Sequence, residues 1–89
     1  MLYVIVYDIP NDNRRTKVHK TLCSIGKWTQ FSVFECFLTD KELIYLRHRL
    51  NKLLKPEDNI RFYPLCQTCQ AKVETIGSTP PIEDKLYLI

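Results

Sequence analysis

Residues 3–15 read Tyr3-Val-Ile-Val-Tyr-Asp-Ile-Pro-Asn-Asp-Asn-Arg-Arg15. The β-branched and aromatic residues that precede Asp8 are those of a strand, spanning 2–9, apolar on both faces and so central in its sheet. Asn11, Asp12 and Asn13 offer cap-forming side chains, which predicts a helix from there to about Ile25. Val18, Leu22 and Ile25 give that helix an apolar stripe. Arg14, Arg15 and Lys17 fall in its first turns, and Gly26 is a good stop. A central strand leading into an amphipathic helix requires α and β layers packed on one core.

The same alternation continues. Residues 28–38 are strand-like, either one long bent strand or two short paired ones, with Phe31, Val33 and Glu35 on one face and Ser32, Phe34 and Cys36 on the other. Thr39 or Asp40 caps a second helix whose buried stripe is Leu43, Leu46, Leu50 and Leu53 and which Pro56 ends. Residues 59–65 form another strand, and Pro64 marks an edge or a strand end. Cys66 to Cys69 reads as a turn and the alternating residues 71–76 as a further strand. Two helices packed on one face of the sheet make an α+β, ferredoxin-like (βαββαβ) fold over residues 1–77. Residues 78–89 read as a linker and a short apolar C-terminal strand. A free apolar strand is a liability, so it is expected to pair with its own sheet or, as the favoured reading, to complete a partner chain's sheet.

A chain of 89 residues is one domain. It buries only roughly 60–65% of its unfolded surface, so oligomerisation is a natural way to bury more. With 45% hydrophobic and 26% charged residues, the composition is that of a globular protein and does not indicate disorder. The net charge is +3, but it is unevenly spread. From Arg14 to Lys55 ten Lys/Arg face three acids, Glu35, Asp40 and Glu42. Such a surface attracts polyanions, although a solvated helical face has the same composition. There is no apolar run of about 20 residues to cross a membrane and no signal peptide. The expected location is cytoplasmic, with the four cysteines reduced.

Asp8 stands where the first strand ends, at the sheet rim. Mg²⁺ takes one or two carboxylates and keeps several waters, and a metal there could polarise a phosphate or activate water. The arginines that follow could grip phosphate oxygens bidentately, aided by helix N-terminal N–H groups. The plainer alternative is that Asp8 bonds nearby backbone N–H groups and that Arg14 and Arg15 are surface charges. One carboxylate makes a poor metal site. A second would come from Asp12, or from Asp8 of a two-fold partner, because symmetry brings identical residues together near the axis.

YDIxNDxRRxK at 7–17, GxxxQxSVFECxL at 26–38 and DxIRFYPLCxxC at 58–69 follow one another in order. Together they resemble the second core CRISPR-associated protein family, the small partner of the spacer-acquisition integrase. The resemblance implies a ferredoxin-like homodimer whose sheets abut and whose tail strands complete the partner's sheet. It implies that Asp8 faces its mate near the dimer axis as the Mg²⁺ ligand of an endonuclease acting on single-stranded RNA or duplex DNA. It places Tyr7, Arg15, Lys17 and Phe34 on positions tied to activity in some members. The family often has Arg where this chain has Lys17, which keeps the charge but not the bidentate fork. The implied partners are a second copy, the CRISPR integrase and nucleic acid. A second implied role is a non-catalytic scaffold bridging integrase dimers. Arg14, Arg15 and Lys17 would then contact phosphates, which position DNA without reading its sequence.

The remaining polar and aromatic residues are less telling. Structural zinc needs four ligands, and Cys66-x-x-Cys69 supplies two. A thioredoxin-type motif opens a helix after a strand, whereas a strand is expected to follow here. The pair therefore reads as buried thiols or turn residues. Cys23 and Cys36 fall in core patterns, and His48 reads as a phosphate contact or a surface histidine. Of Phe31, Phe34 and Phe37, which could stack on bases, at least two are expected in the core. Trp28 and Tyr63 are of interface type.

Overall fold

The computed structural model describes residues 1–77; the strand expected over 85–89 lies outside the described residues. The elements run β1 (Leu2–Asp8), α1 (Asp12–Cys23), β2 (Lys27–Gln30), β3 (Val33–Phe37), α2 (Asp40–Leu53), β4 (Asn59–Leu65) and α3 (Gln67–Ala71). The strand order is β2-β3-β1-β4, with every neighbouring pair antiparallel. This is the ferredoxin-like arrangement of two interleaved split β-α-β units. The two-sided apolar strand β1 is central, as its composition requires.

Alternation along β1 sends Tyr3, Ile5 and Tyr7 to one face and Val4, Val6 and Asp8 to the other. The first set joins Phe34, Cys36, Val18, Leu22, Leu46 and Leu50 in a single core, with Ile25, Leu43 and Leu53 packed against it. Both predicted helical stripes therefore face the sheet. On the second face Val6 stands opposite Val33 and Arg61, and Val4 opposite Glu35 and Tyr63. Val4, Val6 and Val33 remain only half-buried there.

Local chemistry sets the element ends. Asn11 caps α1, its Oδ1 accepting from the Arg14 N–H at 2.9 Å. Thr39 and Glu42 form a capping box at α2: the Glu42 N–H donates to Thr39 Oγ1 at 3.2 Å and the Thr39 N–H to Glu42 Oε1 at 2.9 Å. Gly26 serves as more than a helix stop. A Cβ there would lie 2.1 Å from Cys36 Sγ and 2.8 Å from the Glu35 carbonyl oxygen, so only glycine lets the chain pass this close to β3. Residues 28–38 are two paired strands with a register shift between Trp28 and Gln30. They turn at Phe31, whose φ of 33° is held in part by the Trp28 indole N–H donating to its carbonyl at 2.8 Å.

The strand expected at 71–76 is not formed. Cys66 caps the short helix α3 instead, and residues 73–76 have no regular structure. Alternation produces a strand only beside an edge that offers a ladder, and none of the sheet's pairings involves these residues.

Candidate functional site

Asp8, the last residue of β1, stands opposite Asn59, the first of β4. It is exposed and shares a shallow cleft with Val6, Asn59, Arg61 and Tyr63. Within that cleft Arg61 donates from Nη1 to Tyr63 Oη at 3.2 Å. The site therefore lies on the sheet face left open by the core helices. Arg61 is the nearby cation that the sequence reading missed. Its signal was the alternation of β4, in which Arg61 and Tyr63 face away from the core-packed Ile60 and Phe62.

Tyr7 points to the opposite face. Its hydroxyl lies 3.4 Å from His19 Nδ1, and its ring stacks on Phe34 at a centroid distance of 6.2 Å. His19 meets Phe34 edge-on at 5.2 Å and Trp28 at 5.6 Å, with Cys23 Sγ 3.4 Å from Nε2. Burial, reinforced by Cys23, pushes the Tyr7 hydroxyl above its ordinary range despite the opposing pull of Arg15, so it stays protonated at neutral pH. Phe34 is completely buried. In this geometry Tyr7 and Phe34 support the end of β1 from behind, while Asp8 meets solvent.

The arginines are engaged with the protein itself. Arg14 grips Asp58 with two hydrogen bonds, Nε to Oδ2 at 2.7 Å and Nη2 to Oδ1 at 3.1 Å, and reaches Glu57 at 2.9 Å. The Asp58 side chain has no exposed surface and also accepts from the Lys55 N–H at 2.9 Å. Arg14 thus ties the start of α1 to the α2–β4 loop. Arg15 donates from Nη1 to the Ile9 carbonyl at 3.0 Å and pairs with Asp12. It braces the loop that begins beside Asp8, and Asp12, the second candidate carboxylate, is committed to that arginine. Lys17 is exposed, as are Lys41, Arg47, His48, Arg49, Lys52 and Lys55 on and just after α2.

Asp8 and the Asn59 amide oxygen are hard oxygen donors, the type that Mg²⁺ takes, in a position open to water. Among the described residues, no group of three or more His, Cys, Asp or Glu side chains could hold a metal ion. One chain therefore offers half of a carboxylate site. Cys36 is buried, as its core pattern implies, whereas Cys23 is exposed, and Cys66 and Cys69 are exposed rather than buried thiols. The large apolar residues at the surface include Phe31 and Trp28, at the tip of the β2–β3 hairpin. No helix among the described residues is long and apolar enough to cross a membrane.

Four similarities to known proteins bear on this geometry. The family model of the CRISPR associated protein Cas2 matches residues 1–73. A CRISPR-associated endoribonuclease Cas2 of Chloroflexus aurantiacus is 43% identical over 93 residues, covering 100% of both chains. A crystal structure of a hypothetical protein from Thermus thermophilus superposes with a TM-score of 0.80 at 42% identity, covering 92% of this chain and 96% of that one. A chain of a partial Cas6-RT-Cas1–Cas2 complex gives 0.75 at 30% identity, covering 84% and 89%. The strand order and these matches agree, and the chain belongs to the CRISPR-associated protein Cas2 family.

Proposed function

We propose that this chain is a two-fold homodimeric, Mg²⁺-dependent endonuclease of the CRISPR spacer-acquisition machinery, acting in the cytoplasm. The observation that carries the reading is the placement of Asp8. It is exposed at a strand end, on a sheet face whose valines are half-covered. A second copy laid on that face would bury Val4, Val6 and Val33 and set Asp8 against its symmetry mate. Two Asp8 carboxylates would then hold the ion, Arg61 would attract the phosphate, and Arg15 would keep the loop after Asp8 in place. Bound Mg²⁺ supplies charge neutralisation and an acidified water for phosphodiester hydrolysis. The endoribonuclease name of the Chloroflexus relative supports single-stranded RNA as the first substrate to test.

The test is cleavage of labelled single-stranded RNA and duplex DNA by wild type and Asp8→Ala, in Mg²⁺ and in EDTA. Wild type should cut only in Mg²⁺, and Asp8→Ala should fall by more than about a hundredfold. Equal cutting by the variant would remove Asp8 from the reaction.

A second reading is favoured by the exposed cations of α2. Lys41, Arg47, Arg49 and Lys52 suit a duplex-binding scaffold beside an integrase, and the resemblance to a chain of a Cas1–Cas2 complex supports that partner. In this reading neither protein cuts, both bind duplex equally, and replacing Arg47, Arg49 and Lys52 by Glu weakens binding and flattens its salt dependence.

A further inference from the structure

β4 ends at Leu65 and the next residue, Cys66, opens a helical turn that holds Cys69. The strand expected after this pair, which argued against a redox role, is absent. Both thiols are free and exposed. The Cys69 amide nitrogen lies 3.5 Å from Cys66 Sγ, with the N–H donating to sulfur. Residues three apart on a helical turn have Cα atoms about 5 Å apart, inside the ~4.4–6.8 Å span that a disulfide bridges. Two thiolates are half of a structural zinc site, and no third ligand accompanies them among the described residues. We propose that Cys66 and Cys69 form a reversible dithiol–disulfide site that exchanges with small disulfides of the glutathione class.

The chemistry balances in two steps. The Cys66 thiolate attacks one sulfur of RS–SR, forming a mixed disulfide and expelling RS⁻. The Cys69 thiolate then attacks Cys66 Sγ, forming the Cys66–Cys69 bond and expelling the second RS⁻. The two thiol protons end on two RSH. The protein is oxidised by two electrons, and RS–SR is reduced. The order follows from the contacts: the Cys69 N–H and side chain stabilise a thiolate on Cys66, whereas the neighbouring Cys66 holds the Cys69 thiol above its ordinary range. Cys36 is a built-in contrast, because burial pushes its thiol up to about 11. The bridge would close the first turn of α3, whose Gln67, Thr68, Gln70 and Ala71 line a cavity together with Met1, Phe37 and Leu65.

The full chain is equilibrated across ratios of oxidised to reduced glutathione, quenched in acid, alkylated, and read by intact mass and peptide mapping. Wild type should lose the mass of two hydrogens, yield a peptide joined through Cys66 and Cys69, and return to the dithiol in excess reduced glutathione. Cys69→Ser should stop at a glutathione adduct on Cys66. Cys66→Ser should react about tenfold more slowly at Cys69. A wild-type chain that accumulates the glutathione adduct, bridges through Cys23, or stays reduced at every ratio would overturn the proposal. Because the readout is mass, its failure is distinct from any failure of nuclease activity.

Discussion

Arg14 shows how a side chain's partners, rather than its position, decide its work. In sequence it stands in a basic helix start, well placed for phosphate. In the fold its guanidinium is gripped by Asp58 and Glu57. The hydrogen bonds from Arg14, with help from Lys55, hold the Asp58 carboxyl below the usual carboxylate range. A carboxylate depressed in the folded state adds stability above its unfolded value, about 3.9. That contribution is lost as pH falls through the lower folded value. Thermal melts should therefore show wild type losing stability from about pH 4 downward. Arg14→Gln should melt lower at pH 7 and lack this part of the acid slope. Identical slopes for the two proteins would mean that the ion pair contributes nothing to folding.

The elements depend on a few unsubstitutable contacts. Phe34 is completely buried under both Tyr7 and His19, so Phe34→Ala should cost about 3–5 kcal/mol in urea denaturation. The loss should come with a disturbed Asp8, because Phe34 pairs with Ile5 in the strand that carries it. Gly26→Ala should cost about 1–3 kcal/mol, because its methyl would collide with the Glu35 backbone as well as with Cys36 Sγ, and β3 cannot retreat. Thr39→Ala removes one arm of the α2 capping box and should cost about 1 kcal/mol. A Thr39→Ser variant should retain most of it, since the hydroxyl acceptor survives.

For the whole molecule the open sheet face is decisive. Val6 is half-buried between Val33 and Arg61 and forms one apolar patch with Val4 and Val33, the kind of surface that marks an interaction site. If a second copy does, Val6→Glu should convert the dimer to a folded single chain, read by light scattering with circular dichroism as the folding control. Nuclease activity should disappear with it, because each chain holds one Asp8. A Val6→Glu protein that remains a dimer and still cuts would separate the active site from this face.

Much of this molecule follows from local patterns. The two-sided apolar run of β1 dictates a central strand. The periodic leucines of α2 dictate a helix lying on the sheet, and Asn11 and Thr39 announce where the helices begin, because a cap acts on N–H groups within three residues. Asp8 was likewise legible, as a carboxylate at the end of an apolar strand. What local pattern could not convey is pairing between distant segments. Arg61 beside Asp8, Asp58 on Arg14 and Arg15 on the Ile9 carbonyl depend on strand register and loop closure. The residues at 71–76 carry strand-like alternation but find no ladder, and the Cys66–Cys69 turn became helical in their stead. Sequence determined where β1, α1, α2 and β4 form and which face of each is apolar, since those are short-range preferences. Tertiary structure alone decided which charges are spent on the fold and which stay open to a ligand, because that outcome rests on contacts between residues far apart in the chain.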